Sequence, residues 1–406
     1  MRFAHLADAH IGAWRDPKLA PLPDEAFEKA IRTALERDAD FILIAGDLFN
    51  TALPGIDHLR HAVRTLQRAK DADTPVYLIP GSHDHSPSGK SMLHVLEETG
   101  LVTNVFRGEV AKGKLRLHAT RDEKTGCALA GMPGKRGMLD RHHYENLDKE
   151  HLAQQVRDAT HKVFLFHTAI KELRPKSLEQ MEASPVSMLP KGFDYYAGGH
   201  VHIVNDISLD GYPHVMYPGP VFPASFSELA SLRQGSMIIV DDGKPERVQL
   251  PTKGVVALTL EKHDATPADI TEELLGLVEA NDLQDNIILF RVQGSLREGH
   301  AGDVDFRRVL QAATDAGAYA VMRNTTSLRT ASEQPKVSAS SATNIEEELI
   351  KEYAGKHSHP FSDEKEAMQI LLRSLNTEKQ EGETNTSYDE RVIAEAKKAL
   401  GLEQPE

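Results

Sequence analysis

One cysteine in 406 residues, Cys127, leaves no partner for an internal disulfide and fits a reducing compartment. No apolar run approaches the roughly 18 residues of a membrane span. The first residues enter a strand-like run without the basic, apolar and small-residue pattern of a secretory signal. A soluble cytoplasmic protein is the expectation. An excess of positive charge is also missing, since 47 Lys and Arg stand against 61 Asp and Glu, a formal net charge of −14. That balance argues against a nucleic-acid binder, because phosphate neutralisation by cationic side chains supplies most non-specific affinity. Its distribution softens the objection. Residues 340–406 hold 15 acidic and 8 basic side chains, half of the net charge, whereas residues 107–143 hold nine Lys or Arg and four Asp or Glu. The basic stretch reads either as a solvated hairpin or as one wall of a locally positive groove.

What the chain does have is a series of polar motifs at the ends of apolar runs. Asp8-Ala9-His10 follows Phe3 to Ala7, Gly46-Asp47 follows Phe41 to Ala45, and Gly81-Ser82-His83-Asp84 follows Val76 to Ile79. His167 follows Val163 to Phe166, and Gly199-His200-Val201-His202 follows the aromatic stretch Phe193 to Ala197. Runs of four or five residues rich in Val, Ile, Leu and Phe, ended by Gly, Pro or a polar group, read as buried strands. In α/β sheets the ligand site lies beyond the carboxyl ends of the strands, so these distant motifs are expected to converge.

The residue types suit two divalent ions held about 3.5–4 Å apart, which need a shared carboxylate with imidazoles and a second carboxylate around it. Asp47 is the natural bridge. Residues i and i+2 of a strand point the same way, so Asp8 with His10, and His200 with His202, present paired ligands. Imidazole and carboxylate leave manganese, iron and zinc open. Singly each motif is weak: with 20 histidines in the chain, an isolated D-x-H or H-x-H is more often a surface or hydrogen-bonded histidine, and Gly-Asp after a strand is usually a turn. Five in order, all at strand ends, point to a two-metal phosphoesterase.

These motifs resemble those of the meiotic-recombination-eleven nuclease family, whose bacterial counterpart is the D subunit of the SbcCD exonuclease, within the calcineurin-like metallophosphoesterase superfamily. Gly46-Asp47-Leu48-Phe49, Ser88-Gly89-Lys90-Ser91-Met92-Leu93 and Tyr217-Pro218-Gly219-Pro220 carry the more specific likeness, which covers residues 1 to 325 and is closest to the archaeal branch. The resemblance implies an α/β (α+β) fold, a metallophosphoesterase sandwich with a smaller α/β capping domain and a tethered helical segment. It implies one ion bound by Asp8, His10, Asp47 and His202, and a second by Asp47, Ser82, His167 and His200, with manganese the expected metal. His83 would be the catalytic histidine at the scissile phosphate, with Asp84 beside it as an orienting partner. Two positions depart from the family pattern: Ser82 stands where Asn is usual, and Asn50 where His is common. A serine hydroxyl is shorter than an amide, so a weaker second site is expected.

The resemblance also implies a single-strand endonuclease and three-prime exonuclease in DNA double-strand-break repair, working with an SMC-like coiled-coil ATPase. Under it, Arg107, Lys112, Lys114, Arg116, Lys135 and Arg136 become candidate DNA contacts. A homodimer is expected through helices at residues 56 to 70, with Leu59 and Leu66, and 89 to 99, with Met92 and Val95. Two other readings use the same metals. A phosphatase or phosphodiesterase acting on a small molecule or phosphoprotein would need neither the basic stretch, the cap nor the tethered helices. A largely non-catalytic scaffold would bind DNA ends while Ser82 and Asn50 blunt the site.

The remaining pattern is modular. A helix over 24–38 carries the apolar stripe Phe27, Ala30, Ile31, Ala34 and Leu35, and strands from Met237 to Leu250 close a nuclease domain over 1–250. Residues 251–330 read as the capping domain: a strand from Val255 to Leu260, a helix opened by Thr266-Pro267, a strand over 287–292, a helix over 305–316 and a strand over 319–322. Residues 331–343, rich in Ser, Ala and Thr, read as a flexible linker. Beyond it, 344–406 read as a helical ATPase-binding segment, with short helices marked by Ile345, Leu349 and Tyr353, by Ala367, Ile370, Leu371 and Leu375, and by Val392, Ile393, Ala396 and Leu400.

Overall fold

The computed structural model describes residues 1–85, 90–135, 141–175, 181–330, 391–394 and 396–397. The linker, the first two tail helices and Arg136 lie outside the described residues, as do Ser88 and Gly89. Of the third tail helix, 391–394 and 396–397 are described and helical. Residues Met1–Leu328 form one compact unit.

Two six-stranded sheets make its body. The first has the order β14-β13-β1-β2-β3-β4, from β1 (Arg2–Leu6), β2 (Phe41–Ala45), β3 (Val76–Ile79), β4 (Thr103–Asn104), β13 (Gly235–Asp241) and β14 (Lys244–Leu250). The second has the order β11-β12-β10-β9-β8-β7, from β7 (Thr120–Arg121), β8 (Ala128–Met132), β9 (Lys162–His167), β10 (Tyr195–Gly199), β11 (Val204–Leu209) and β12 (Tyr212–Pro218). β1 to β4 are mutually parallel, as are β8, β9, β10 and β12. The strand from the aromatic stretch begins at Tyr195 rather than Phe193 and runs on through Gly199.

Strand periodicity explains why these runs are apolar at both odd and even positions. Side chains alternate between faces, and both faces are covered. Phe3, Phe41, Leu43, Val163, Leu165 and Ala197 meet between the sheets. Ala4, Leu6, Ile42 and Ile44 point the other way, onto helices α1 (Leu22–Glu36), α2 (Ile56–Asp71) and α3 (Met92–Glu98). α1 starts two residues before the stripe indicated, its Pro23 within the first turn. Phe164 and Phe166 join the outer core beneath α4 (Arg141–Glu145) and α5 (Lys149–Gln155). The result is an α/β/β/α sandwich. Polar His5 enters the inter-sheet layer, where it is bound by the Tyr195 hydroxyl at 2.9 Å and the Gly198 carbonyl at 3.2 Å, and burial pushes its pKa down to about 3.

The basic hairpin is β5 (Gly108–Ala111) with β6 (Lys114–Leu117). A three-stranded sheet follows, β15 (Gly254–Ala265), β16 (Asn286–Leu296) and β17 (Ala320–Arg329), with helices α7 (Pro267–Ala280) and α8 (Phe306–Asp315); the short helix α6 (Phe226–Leu232) precedes it. Thr266 and Asp269 close a reciprocal capping box at the start of α7. Within β16, Ile288, Phe290 and Val292 face the sheet's own helices, while Ile287 and Leu289 pack into the main core. Period-two alternation thus joins the small sheet to the body on one face and to its own helices on the other.

Candidate metal centre

The carboxyl ends of β1, β2, β3, β9 and β10 meet at one point. The loop after β1 stays paired with the loop after β2, with Asp8 N donating to Gly46 O at 3.1 Å and His10 N to Asp47 O at 3.0 Å. Three overlapping ligand groups form there: Asp8, His10 and His202; His10, Asp47 and His83; and Asp8, Asp47 and His167. Asp8, His10 and Asp47 are each shared by two groups, the arrangement two adjacent ions need. All five residues Asp8, His10, Asp47, Ser82 and His167 are buried.

The backbone is forced to make this convergence. Asp8, His10, Asp47, His200 and His202 all have positive φ, between 43° and 99°, a region uncommon for non-glycine residues and frequent at functional sites. Glycines give the room. Gly46 has φ +86°, and a Cβ there would fall 2.2 Å from His167 Nδ1; a Cβ on Gly81 would fall 2.2 Å from both N and Oδ1 of Asp47.

Three of the imidazoles, those of His167, His202 and His83, commit one nitrogen to the protein. His167 Nδ1 donates to Ala45 O at 2.7 Å, leaving Nε2 at 3.1 Å from Asp47 Oδ2. His202 Nδ1 bonds Glu228 Oε2 at 3.1 Å, and its Nε2 faces His10 Nε2 at 2.8 Å. His83 Nδ1 donates to the Asn50 carbonyl at 2.9 Å, and its main-chain N–H to Asp47 Oδ1 at 2.7 Å. Metal-ligating histidines use this device to fix tautomer and orientation. Ser82 directs its hydroxyl to Asp47 Oδ2 at 3.4 Å. His200 is in none of the three groups; its ring lies 5.1 Å from that of His167, and its main-chain N–H donates to Asp8 at 2.9 Å.

Asp84 does not orient His83, contrary to the expectation from the resemblance. Its buried carboxylate accepts the main-chain N–H groups of Gly81 at 2.9 Å, Phe49 at 3.1 Å and Leu48 at 3.3 Å, so it ties the second motif loop to the third. The partner of His83 is the backbone of Asn50, a role any residue at that position can fill. Burial and the Asp47 charge raise Asp84 to about 7.

The electrostatics of the pocket are those of buried carboxylates among imidazoles. Burial raises Asp8. It pulls Asp47 upward too, but the charge and hydrogen bond of His167 and the charge of His10 outweigh it and hold Asp47 well below the carboxylate range. His167, despite its burial, is raised to about 10 by Asp47 and Asp8; His202 is raised to about 9 by Asp8 and Glu228. Burial lowers His10 and His200 to about 3. Two buried carboxylates call for positive charge, and histidine protons sit where cations would replace them. The buried Nδ1 of His10 has no hydrogen-bond partner, and two imidazole Nε2 atoms point at each other. This donor set fits two divalent ions.

The candidate DNA contacts divide. Gly134 abuts His167, which brings the adjacent Lys135 close to the centre. Arg107 pairs with Glu97 at 2.9 Å and Arg116 with Asp148 at 3.0 Å, both on the surface; Lys112 and Lys114 belong to the β5–β6 turn and hairpin. Glu228 was not among the expected residues. Its one signal is the Ser225-x-x-Glu228 spacing, which marks a helix start and says nothing of His202.

Residues 1–204 match the model of the calcineurin-like phosphoesterases. Three archaeal proteins, each named DNA double-strand break repair protein Mre11, are similar over much of the chain. That of Archaeoglobus fulgidus is 27% identical over 348 residues, covering 80% of this chain and 74% of its own. That of Methanopyrus kandleri is 30% identical over 249 residues, covering 57% and 51%, and that of Methanococcus maripaludis 28% identical over 240 residues, covering 58% and 60%. The chain therefore spans three quarters of the first relative and little more than half of the other two.

Proposed function

The chain belongs to the calcineurin-like phosphoesterase family, and we propose that it is a metal-dependent DNA nuclease of double-strand-break repair, acting on single strands as an endonuclease and from the three-prime end as an exonuclease. The observation that carries the reading is the sharing of Asp8, His10 and Asp47 among three ligand groups, together with relatives named for break repair. Asp8, His10, Asp47 and His202 would hold one ion and Asp47, His167, Ser82 and His200 the other, with manganese the proposed metal. When bound, such a pair activates water and neutralises charge for in-line attack on phosphorus. The chain's own part is positional. Asp47 is fixed by the His83 amide, His83 is held by Asn50 O with its Nε2 left for the scissile phosphate or leaving oxygen, and Lys135 offers a cation at the rim.

Leu53, Ile56 and Val95 are exposed on and beside α2 and α3, whereas Leu66 is buried in the core, and Met92 N at the start of α3 donates to Ala52 O in the loop before α2 at 3.1 Å. This supports a homodimer through those helices. The small sheet with α7 and α8 would act as the cap, and residues 344–406 would dock on an SMC-like ATPase; that segment lies almost wholly outside the described residues. Among the described residues no helix is long and apolar enough to cross a membrane.

Manganese-dependent cleavage of a labelled oligonucleotide, measured beside hydrolysis of a small phosphodiester, tests the reading. Preference for DNA supports a nuclease; preference for the small ester points to a phosphodiesterase, and inertness to both indicates a scaffold.

Ser82 gives a finer test. Its hydroxyl reaches Asp47 rather than open space, so an asparagine amide oxygen should hold the second ion more directly. Ser82→Asn is expected to reach half-maximal cleavage at lower manganese, with a smaller change at saturating metal. An unchanged or raised requirement in metal titrations at fixed DNA and salt means that Ser82 is not a weakened ligand.

A further inference from the structure

Helix α6 reaches the metal centre, where its one acidic side chain meets a candidate ligand. Glu228 Oε2 lies 3.1 Å from His202 Nδ1 and accepts the Ala224 N–H at 3.0 Å, while Oε1 accepts the Ser225 hydroxyl at 3.0 Å. The carboxylate is therefore held by two local bonds and extends a third to the histidine. Its own N–H is bound by Ser225 Oγ at 3.2 Å. The stretch before α6 is pinned as well, with Val221 N donating to Ala7 O at 3.3 Å and Trp14 Nε1 to Pro223 O at 3.0 Å. At the far end, Arg233 caps the helix with φ +65° and its guanidinium donates to Val255 O on β15 at 2.9 Å, while Arg291 of β16 lies over the Phe226 ring at 5.6 Å. A seven-residue helix clamped at both ends cannot swing its carboxylate away from His202.

We propose that Glu228 is a positioning residue of the metal centre: it takes the Nδ1–H of His202, so that Nε2 alone is presented toward Asp8 and His10. The inference rests on the two-ion reading of the centre. His202 sits on a loop with left-handed backbone, and the ring's other contact, Nε2 to His10 Nε2 at 2.8 Å, joins two like nitrogens and so does not fix which nitrogen of His202 carries the proton. A carboxylate behind a ligating imidazole fixes its tautomer and raises its basicity, and losing such a partner commonly weakens metal binding by about 10–100-fold.

The competing role is helix capping alone, since Ser225 and Glu228 have capping-box spacing. Glu228→Gln separates the two. Glutamine serves equally at that helix position and its carbonyl can keep the Ala224 bond, but it is a neutral acceptor for the imidazole N–H. Manganese titration calorimetry of the metal-free full chain, thermal melts, and nitrogen-15 histidine spectra of the zinc-loaded protein are the readouts. For Glu228→Gln we expect an unchanged metal-free melting temperature, about tenfold weaker binding at one of two sites, and a shifted His202 Nδ1 resonance as its N–H passes from a charged to a neutral acceptor; Glu228→Ala should lose about 10–100-fold at the same site. A Gln variant with wild-type affinity and an unmoved His202 Nδ1 resonance overturns the assignment and leaves capping. If the wild-type chain itself takes up fewer than two ions, the two-ion reading falls, and this inference with it.

Discussion

Asp47→Asn is expected to abolish metal-dependent cleavage in a protein that still folds. The carboxylate is placed by contacts that an amide cannot reproduce: Oδ1 accepts the His83 N–H at 2.7 Å, while Oδ2 faces His167 Nε2 at 3.1 Å, Ser82 Oγ at 3.4 Å and His10 Nε2 at 3.6 Å. An asparagine must turn its NH2 group toward one of these two clusters, and either way only one oxygen, uncharged, is left to span two cations. Loss of one ion forfeits several kcal/mol of charge stabilisation in the transition state. At about 1.4 kcal/mol per tenfold, that is a fall of about a thousandfold or more. The fold should persist, because the cores between and outside the sheets do not include this side chain. A metal-free melt close to wild type, and the absence of the rise in melting temperature that manganese gives the wild type through linkage, are the accompanying results. Near-normal cleavage by a folded Asp47→Asn protein would sink the two-metal mechanism.

Why Asp47 could be singled out from sequence, and Glu228 could not, follows from what each depends on. Asp47, Asp8, His167 and the paired histidines stand directly after apolar runs, and parallel strands bring their carboxyl ends together whatever the intervening chain does. The all-apolar run of β2, and the largely apolar runs of β1 and β9, likewise announce cover on both faces. Other contacts depend on tertiary placement. Glu228 meets His202 only because α6 is clamped between the loop after β1 and the small sheet. The orientation of His83 comes from a main-chain carbonyl, which no side-chain pattern encodes, so a histidine motif with an adjacent Asp84 pointed to the wrong partner. The left-handed backbone at five of the site residues belongs to the same class: Asp and His tolerate it better than most residues, but nothing in D-x-H announces it. The basic stretch shows the same dependence: Arg107 and Arg116 lie beside Glu97 and Asp148, both outside residues 107–143, so a count of charges within that stretch could not pair them.

His83→Ala is expected to lower turnover by about 10²–10⁴-fold, the usual contribution of a positioned proton-transfer group, with metal and DNA binding retained. The main-chain bond from residue 83 to Asp47 survives the substitution, so the bridge should stay in place. Asp8, His10, His167 and His202 are untouched. The geometry also allows a rival role, because a nitrogen of His83 lies within 4.8 Å of ligand atoms on His10 and Asp47, close enough for a metal ligand. The bond from Nδ1 to Asn50 O serves either role equally, since it only fixes which nitrogen is left free. What separates them is the quantity that changes. A group acting on the transition state lowers kcat and kcat/KM together, while a ligand takes an ion with it when removed. Manganese calorimetry on His83→Ala decides the matter: two ions bound with a collapsed kcat assigns His83 to the chemistry, whereas a stoichiometry reduced to one, with activity recovered at high manganese, assigns it to the metal.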